Sequence, residues 1–154
     1  MSEPTTMPAP PTDAEFVIPD VNVLVALTNP SHQHHTQAHR WLSGVERFAT
    51  TPITESGLVR LLLNPAVTGQ QVGGAQAVGI LQALRANAHA TFLPDASSLA
   101  ASQLDLVGLA GHKQATDYHL LNLAADHGGV LVTFDRRIVQ SLTPTDQALV
   151  HVLS

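Results

Sequence analysis

The chain has 154 residues, 44% hydrophobic and 12% charged, which allows one domain with a buried core and excludes a disordered polymer. It lacks cysteine, so no disulfide framework is possible, and no run approaches the roughly 20 apolar residues of a membrane span. A net charge of −5 with only seven Lys and Arg excludes a broad basic surface, so any contact with nucleic acid has to be local, metal-assisted or shared between subunits.

Residues 1–14, MSEPTTMPAPPTDA, hold four of the ten prolines and no apolar period; a disordered tail is expected there, ahead of one domain over 15–154. Met7 offers an alternative start. The first Lys or Arg is Arg40 and no long apolar run precedes it, so no secretory signal is expected and the protein reads as soluble and cytoplasmic. FVIPD (16–20) has the look of a short buried strand, followed by the helix VNVLVAL (21–27). HTQAHRWLSGV (35–45) is a second helix. RFATTP (47–52) reads as a strand and ITESGLVRLLL (53–63) as a helix that Asn64-Pro65 ends. A Gly-containing loop (66–74) leads to the helix AQAVGILQALRAN (75–87), the strand HATFLPD (89–95) and a helical SSLAASQLDLVGL (97–109). GHKQATDYHLLNLAADHGG (111–129) is helical up to its glycines; GVLVTFD (129–135) and ALVHVLS (148–154) are strands. Short apolar strands alternating with helices predict an α/β fold with a mainly parallel sheet covered on both faces. Sites in such folds lie beyond the carboxyl ends of the strands.

Four of the twelve acids have an unusual setting. Asp20 closes the first strand and Asp135 closes VLVTFD. Asp117 shares a helix face with Leu120, Leu121 and Ala124, and Glu55 with Leu58, Val59 and Leu62, each at i+3, i+4 and i+7. Those faces point inward, where a lone carboxylate costs several kcal/mol or takes up a proton. Two acids at strand ends and two pointing in from helices can converge above the sheet, provided some are protonated or a cation neutralises them. Oxygen ligands without cysteine favour a hard ion, Mg²⁺ or Mn²⁺, which takes one or two carboxylates directly and keeps several waters. Such a centre activates water against a phosphodiester.

Each acid also has an ordinary explanation. Asp20 suits a helix N-cap, worth about 1 kcal/mol. Asp135 before Arg136-Arg137 suits a turn with local ion pairs. Glu55 suits a capping box, but with Thr51 as N-cap and Pro52 at N1 the third helical position is Thr54, so that frame misses by one. Taken together, the ordinary explanations leave two inward helical acids and two strand-end acids unexplained.

PDVNVLVAL, TPITESGLVRLLLNP, GHKQATDYHLLNLA and LVTFDRRI resemble, in that order, the PIN domain, specifically the VapC toxins of type II toxin–antitoxin systems. The likeness runs from about Phe16 to Val152, and SHQHHTQAHRWL is similar to a His-rich stretch many of these toxins carry. It implies a three-layer α/β/α fold and a metal-dependent endoribonuclease, with Asp20, Glu55, Asp117 and Asp135 as the acidic quartet around Mg²⁺ or Mn²⁺. Asn22, two residues after the first acid, and Thr133, two before the last, are implied supports for ligands or metal-bound waters. The likeness further implies a homodimer, a VapB-type antitoxin that inserts a segment into the acidic cleft, and cleavage leaving 5′-phosphate and 3′-hydroxyl ends.

Other residues invite over-reading. His35 and His39 are spaced i, i+4, but without Cys or an HExxH pattern zinc is disfavoured, and a solvated helix start is the simpler expectation for His32, His34, His35 and His39. His112 and His119 are candidate acids or bases, although His119 lies about 200° round the helix from Asp117. Arg136 and Arg137 directly follow a ligand candidate and are candidate phosphate contacts, Arg136 the preferred one, with ordinary surface charge at least equally expected; Arg60 is weaker, and Trp41 is expected against the core or a dimer partner. A phosphatase of haloacid-dehalogenase type needs Asp where Asn22 stands. A phospho-receiver needs a Lys near a late strand end, and the only Lys is Lys113. A non-catalytic PIN-like module binding RNA or protein predicts a missing acid, and none of the four is missing.

Overall fold

The computed structural model describes residues 16–154; the tail expected over 1–14, and the first residue of the domain expected over 15–154, lie outside the described residues. Five strands, β1 (Val17–Pro19), β2 (Phe48–Thr50), β3 (Ala90–Phe92), β4 (Val130–Thr133) and β5 (Val150–Val152), form one sheet in the order β3-β2-β1-β4-β5. Every pairing is parallel: Val17 faces both Phe48 and Val130, and Leu131 faces Val150. The chain moves outward from β1 to β3, then returns to the other side of β1 with β4. The topological switch therefore falls between β1 and β4, the strands that end on Asp20 and near Asp135.

Among the described residues seven α-helices surround the sheet: α1 (Val21–Thr28), α2 (His35–Leu42), α3 (Pro52–Leu62), α4 (Pro65–Thr68), α5 (Gly74–Arg85), α6 (Ala115–His127) and α7 (Arg137–Ser141). Strand alternation sorts the core in two. Ile18, Ala49 and Leu131 pack with Tyr118, Leu120 and Leu121 of α6; Val17 and Val132 pack with Leu24 of α1, Leu58 of α3 and Ala77 of α5. This is the expected three-layer α/β/α arrangement. Among the described residues no helix is long and apolar enough to cross a membrane.

Three local features depart from the sequence expectations. The loop over 66–74 contains the short α4, started by Pro65 with Asn64 as its cap, and α7 follows the last site acid. The helix expected over 97–109 shrinks to one 3₁₀ turn, Leu99–Ala101. Its polar side chains satisfy the backbone without a helix. Ser102 Oγ accepts from Leu104 N–H at 2.9 Å, Asp105 from Val107 N–H at 2.9 Å, and buried Asn122 of α6 accepts from Gln103 N–H at 2.7 Å. The His run is not simply a solvated start either. His35 Nδ1–H and His39 Nε2–H donate to the carbonyls of Ala26 and Leu27 at 2.7 and 2.8 Å, closing the end of α1. A carbonyl only accepts, so those nitrogens carry the protons. Both rings thereby have a structural role that needs no metal.

Two glycines report on packing. A Cβ on Gly108 would lie 1.7 Å from the Ser141 carbonyl oxygen, whereas one on Gly79, within α5, meets nothing within 4 Å. Gly108→Ala should lower unfolding stability by about 1–3 kcal/mol, and Gly79→Ala should raise it by up to about 1 kcal/mol, both read by urea denaturation. Equal effects at the two positions would contradict the packing of the 102–111 segment against α7.

Candidate active site

The site grows from the carboxyl edge of β1 and β4. Asp20 follows β1, its N–H donating to Val132 C=O at 2.8 Å, so the sheet itself holds its backbone. One carboxylate oxygen caps α1, accepting from Val23 N–H at 3.0 Å. The other accepts from the Thr133 hydroxyl at 2.5 Å. Helix capping and a site role therefore coexist in one residue. Asp20 is only 6% exposed. Burying a carboxylate costs several kcal/mol, while each hydrogen bond to it returns about 1.5–3. Burial accordingly raises the Asp20 pKa, the bonds from Thr133, Val23 and Asn22 oppose the rise, and the charge of Asp135 adds to it. Asn22 contributes through its backbone N–H; the residue itself is exposed.

Thr133, 2% exposed, joins two acids through one hydroxyl. It donates to Asp20 and accepts from Asp135 N–H at 3.0 Å. Asp135 turns the chain: its carboxylate accepts from Arg137 N–H at 2.9 Å and from the guanidinium through Nε and an Nη, each at 3.0 Å. That guanidinium holds the Asp135 pKa below the ordinary carboxylate value. The arginine in contact with the site is thus Arg137, while Arg136 stands exposed just before α7. The turn with local ion pairs expected at Asp135 is present, and the residue that makes it is Arg137 rather than the preferred phosphate candidate Arg136: Asp followed two residues later by a donor is the pattern of an Asx turn.

Asp117 enters from the first turn of α6, half-buried. Its pKa is pushed up to about 6, by burial first and then by the charges of Asp20 and Asp135, with Arg137 opposing. The inward placement read from Leu120, Leu121 and Ala124 therefore brings Asp117 to the other two aspartates. His119 turns instead to Asp95, its Nε2 at 2.5 Å from the carboxylate, and His112 is exposed.

Glu55 stands apart from this group. Thr51 and Thr54 close the α3 capping box on each other, leaving the Glu55 carboxylate free. It accepts from the hydroxyl of Thr50, the last residue of β2, at 2.7 Å, and pairs with Arg85 of α5 at 3.5 Å. It lies beyond the neighbouring strand end and is absent from the charges that act on Asp20 and Asp117. The structure gathers three aspartates and keeps Glu55 at their side.

Among the described residues no three carboxylates or imidazoles stand close enough together to ligate one ion directly. The donor set nevertheless fits a hard divalent cation: it is all oxygen, and its repulsion is already visible in Asp117. Mg²⁺ takes one or two carboxylates and reaches the rest through its waters.

Comparison with known proteins identifies the family and the fold. The PIN domain family model matches residues 17–141. Ribonuclease VapC39 of Mycobacterium tuberculosis is 42% identical over 137 residues, covering 87% of this chain and 96% of its own. Ribonuclease VapC38 of the same organism is 44% identical over 118 residues, covering 75% and 82%. Among solved structures, M. tuberculosis VapC20, described as a sarcin-ricin loop cleaving toxin, superposes with a TM-score of 0.51 at 15% identity, covering 73% of this chain and 84% of that one. That likeness is one of fold.

Asp117 sets a pH dependence. Its folded pKa of about 6 lies above its ordinary 3.8, so the native state binds this proton more tightly than the unfolded chain does. Its contribution to stability is therefore gained as pH falls through about 6 and lost as pH rises through it. Without divalent metal, taking the protein from about pH 7 to about pH 5 should stabilise the wild type relative to Asp117→Asn. Parallel thermal melts of the two proteins across that range would contradict the crowding of carboxylates.

Proposed function

This chain belongs to the PIN-domain family, among the VapC ribonucleases, and from that premise we propose that Asp20, Asp117 and Asp135, with Glu55 beside them, hold the divalent ion of its active site. The chain is the toxin of a toxin–antitoxin pair and an endoribonuclease, dependent on a divalent metal as PIN domains are. The observation that carries the site assignment is the joining of Asp20 and Asp135 through the Thr133 hydroxyl, together with an Asp117 pKa raised to about 6 by burial first and then by the charges of those two aspartates, which a cation would relieve.

A bound ion lowers the pKa of a ligated water and offsets charge on the phosphodiester. The remaining chemistry belongs to the chain. Thr133 holds the Asp20 and Asp135 segments together, so two ligands keep one spacing. The Thr133 hydroxyl and the Val23 and Asn22 N–H groups oppose the rise that burial imposes on the Asp20 pKa. Arg137, exposed like Arg136 but paired to Asp135, places a cation where a backbone phosphate would approach. Hydrolysis adds water at phosphorus and expels the 3′ oxygen, leaving 5′-phosphate and 3′-hydroxyl ends.

Mg²⁺ and Mn²⁺ both fit the oxygen donors. A VapB-type antitoxin is the partner: with a net charge of −5, the acidic edge offers an inserted cationic side chain a ready counter-charge. Assembly as a homodimer and action in the cytoplasm complete the reading.

Asp20→Asn retains a helix-capping side chain and Asp117→Asn removes a repelling charge, so both variants should fold. Each should cut RNA at least about 100-fold more slowly, measured on purified protein. Millimolar Mg²⁺ or Mn²⁺ should raise the wild-type melting temperature and do so much less in either variant. Undiminished cleavage by the variants, or no thermal shift in the wild type, would overturn the assignment.

A further inference from the structure

The chain has four Phe, one Tyr and one Trp, and only Phe92 among them is left exposed, at 38%. Phe92 ends β3, on the same carboxyl edge of the sheet as Asp20 and Asp135. In register it faces Thr50, whose hydroxyl donates to Glu55. Arg85 spans the gap. Its Nε lies 3.5 Å from the Glu55 carboxylate, and its guanidinium carbon lies 4.7 Å from the centre of the Phe92 ring. Acid, guanidinium and ring thus form one contiguous group at the β2–β3 end of the edge that carries Asp20 and Asp135. Burial does not account for the ring's place, because its neighbours Thr91 and Leu93 are themselves exposed or half-exposed.

We propose that Arg85 and Phe92 form a nucleotide subsite that stacks an unpaired RNA base flanking the cleaved phosphate. This rests on the ribonuclease reading and adds to it a substrate-positioning surface. Unpaired bases stack on aromatic rings and on arginine planes, and the guanidinium–ring pair offers both. The shortage of cations favours such a subsite: a chain of net charge −5 with seven Lys and Arg in all has little positive charge with which to hold RNA. Arg85 beside Glu55 and Arg137 beside Asp135 flank the acidic edge on either side. A strand lying across that edge meets one cation on each flank and the ring on the β3 side. Bases locked in a duplex have no free face to stack, so the subsite selects single-stranded or looped RNA.

The test uses the full chain, a labelled unstructured RNA oligonucleotide and the same RNA annealed to its complement. Stacking of one base is worth about 1–3 kcal/mol, so Phe92→Ala should raise KM about 10-fold or more while kcat changes little. Phe92→Tyr, which keeps the ring, should restore KM. In an Asp20→Asn background, which binds without cutting, Phe92→Ala should weaken binding of the single strand and leave the duplex unaffected. Unchanged single-strand affinity, equal losses on both RNAs, or a change in oligomeric state with RNA affinity intact would overturn the proposal. The binding arm does not depend on cleavage, so failure of the active-site assignment shows separately as undiminished cutting by Asp20→Asn.

Discussion

The burial and crowding of Asp20, Asp117 and Asp135 is the constraint around which the carboxyl edge of the sheet is organised. Parallel strands force it. Because β1 and β4 run side by side in the same direction, residues just past their ends are neighbours although more than a hundred positions apart in sequence. The first turn of α6 brings the third charge in. Each carboxylate meets the constraint differently: Asp20 through hydrogen bonds from Thr133 and the α1 N-terminus, Asp135 through the Arg137 guanidinium, and Asp117 through a raised pKa. Only Asp117 has no strong internal partner, which makes it the group most responsive to an added cation.

Glu55 illustrates a different economy. It is held by Thr50 and Arg85 at the end of β2, one strand away from the switch point. Its approach depends on α3 lying close to α1, and Gly57 permits this: a Cβ there would meet Val21 at 2.6 Å. The placement of an acid thus rests on the absence of a methyl group two residues later. The few arginines are spent in the same way, with Arg137 and Arg85 each paired to a site carboxylate, so the edge carries less net negative charge than its count of acids implies.

Much of this was legible in the residues. Apolar runs of three or four ending in Asp marked both strands of the switch point, and i+3, i+4, i+7 spacing placed Asp117 and Glu55 on inward faces. The chemistry of the strand-end acids followed because parallel sheets have one functional edge. Periodicity gives a direction and not a distance, so it could not tell that Glu55 sits apart from the three aspartates. It failed over 97–109, where Ser102, Asp105 and the distant Asn122 satisfy the backbone better than a helix would. The roles of His35 and His39 depend on the crossing of α2 over the end of α1, a tertiary contact with no local signature. Arg136 was preferred to Arg137 for a related reason: turn geometry, rather than adjacency, decides which side chain returns to Asp135.

The most direct measurement is an NMR titration of the Asp117 side-chain carboxyl carbon in metal-free protein, repeated after Asp20→Asn. Converging carboxylates require Asp117 to titrate near 6 and to move part of the way towards its ordinary value once the Asp20 charge is gone. An Asp117 that titrates like an isolated aspartate, indifferent to residue 20, would mean that the acids do not share a site.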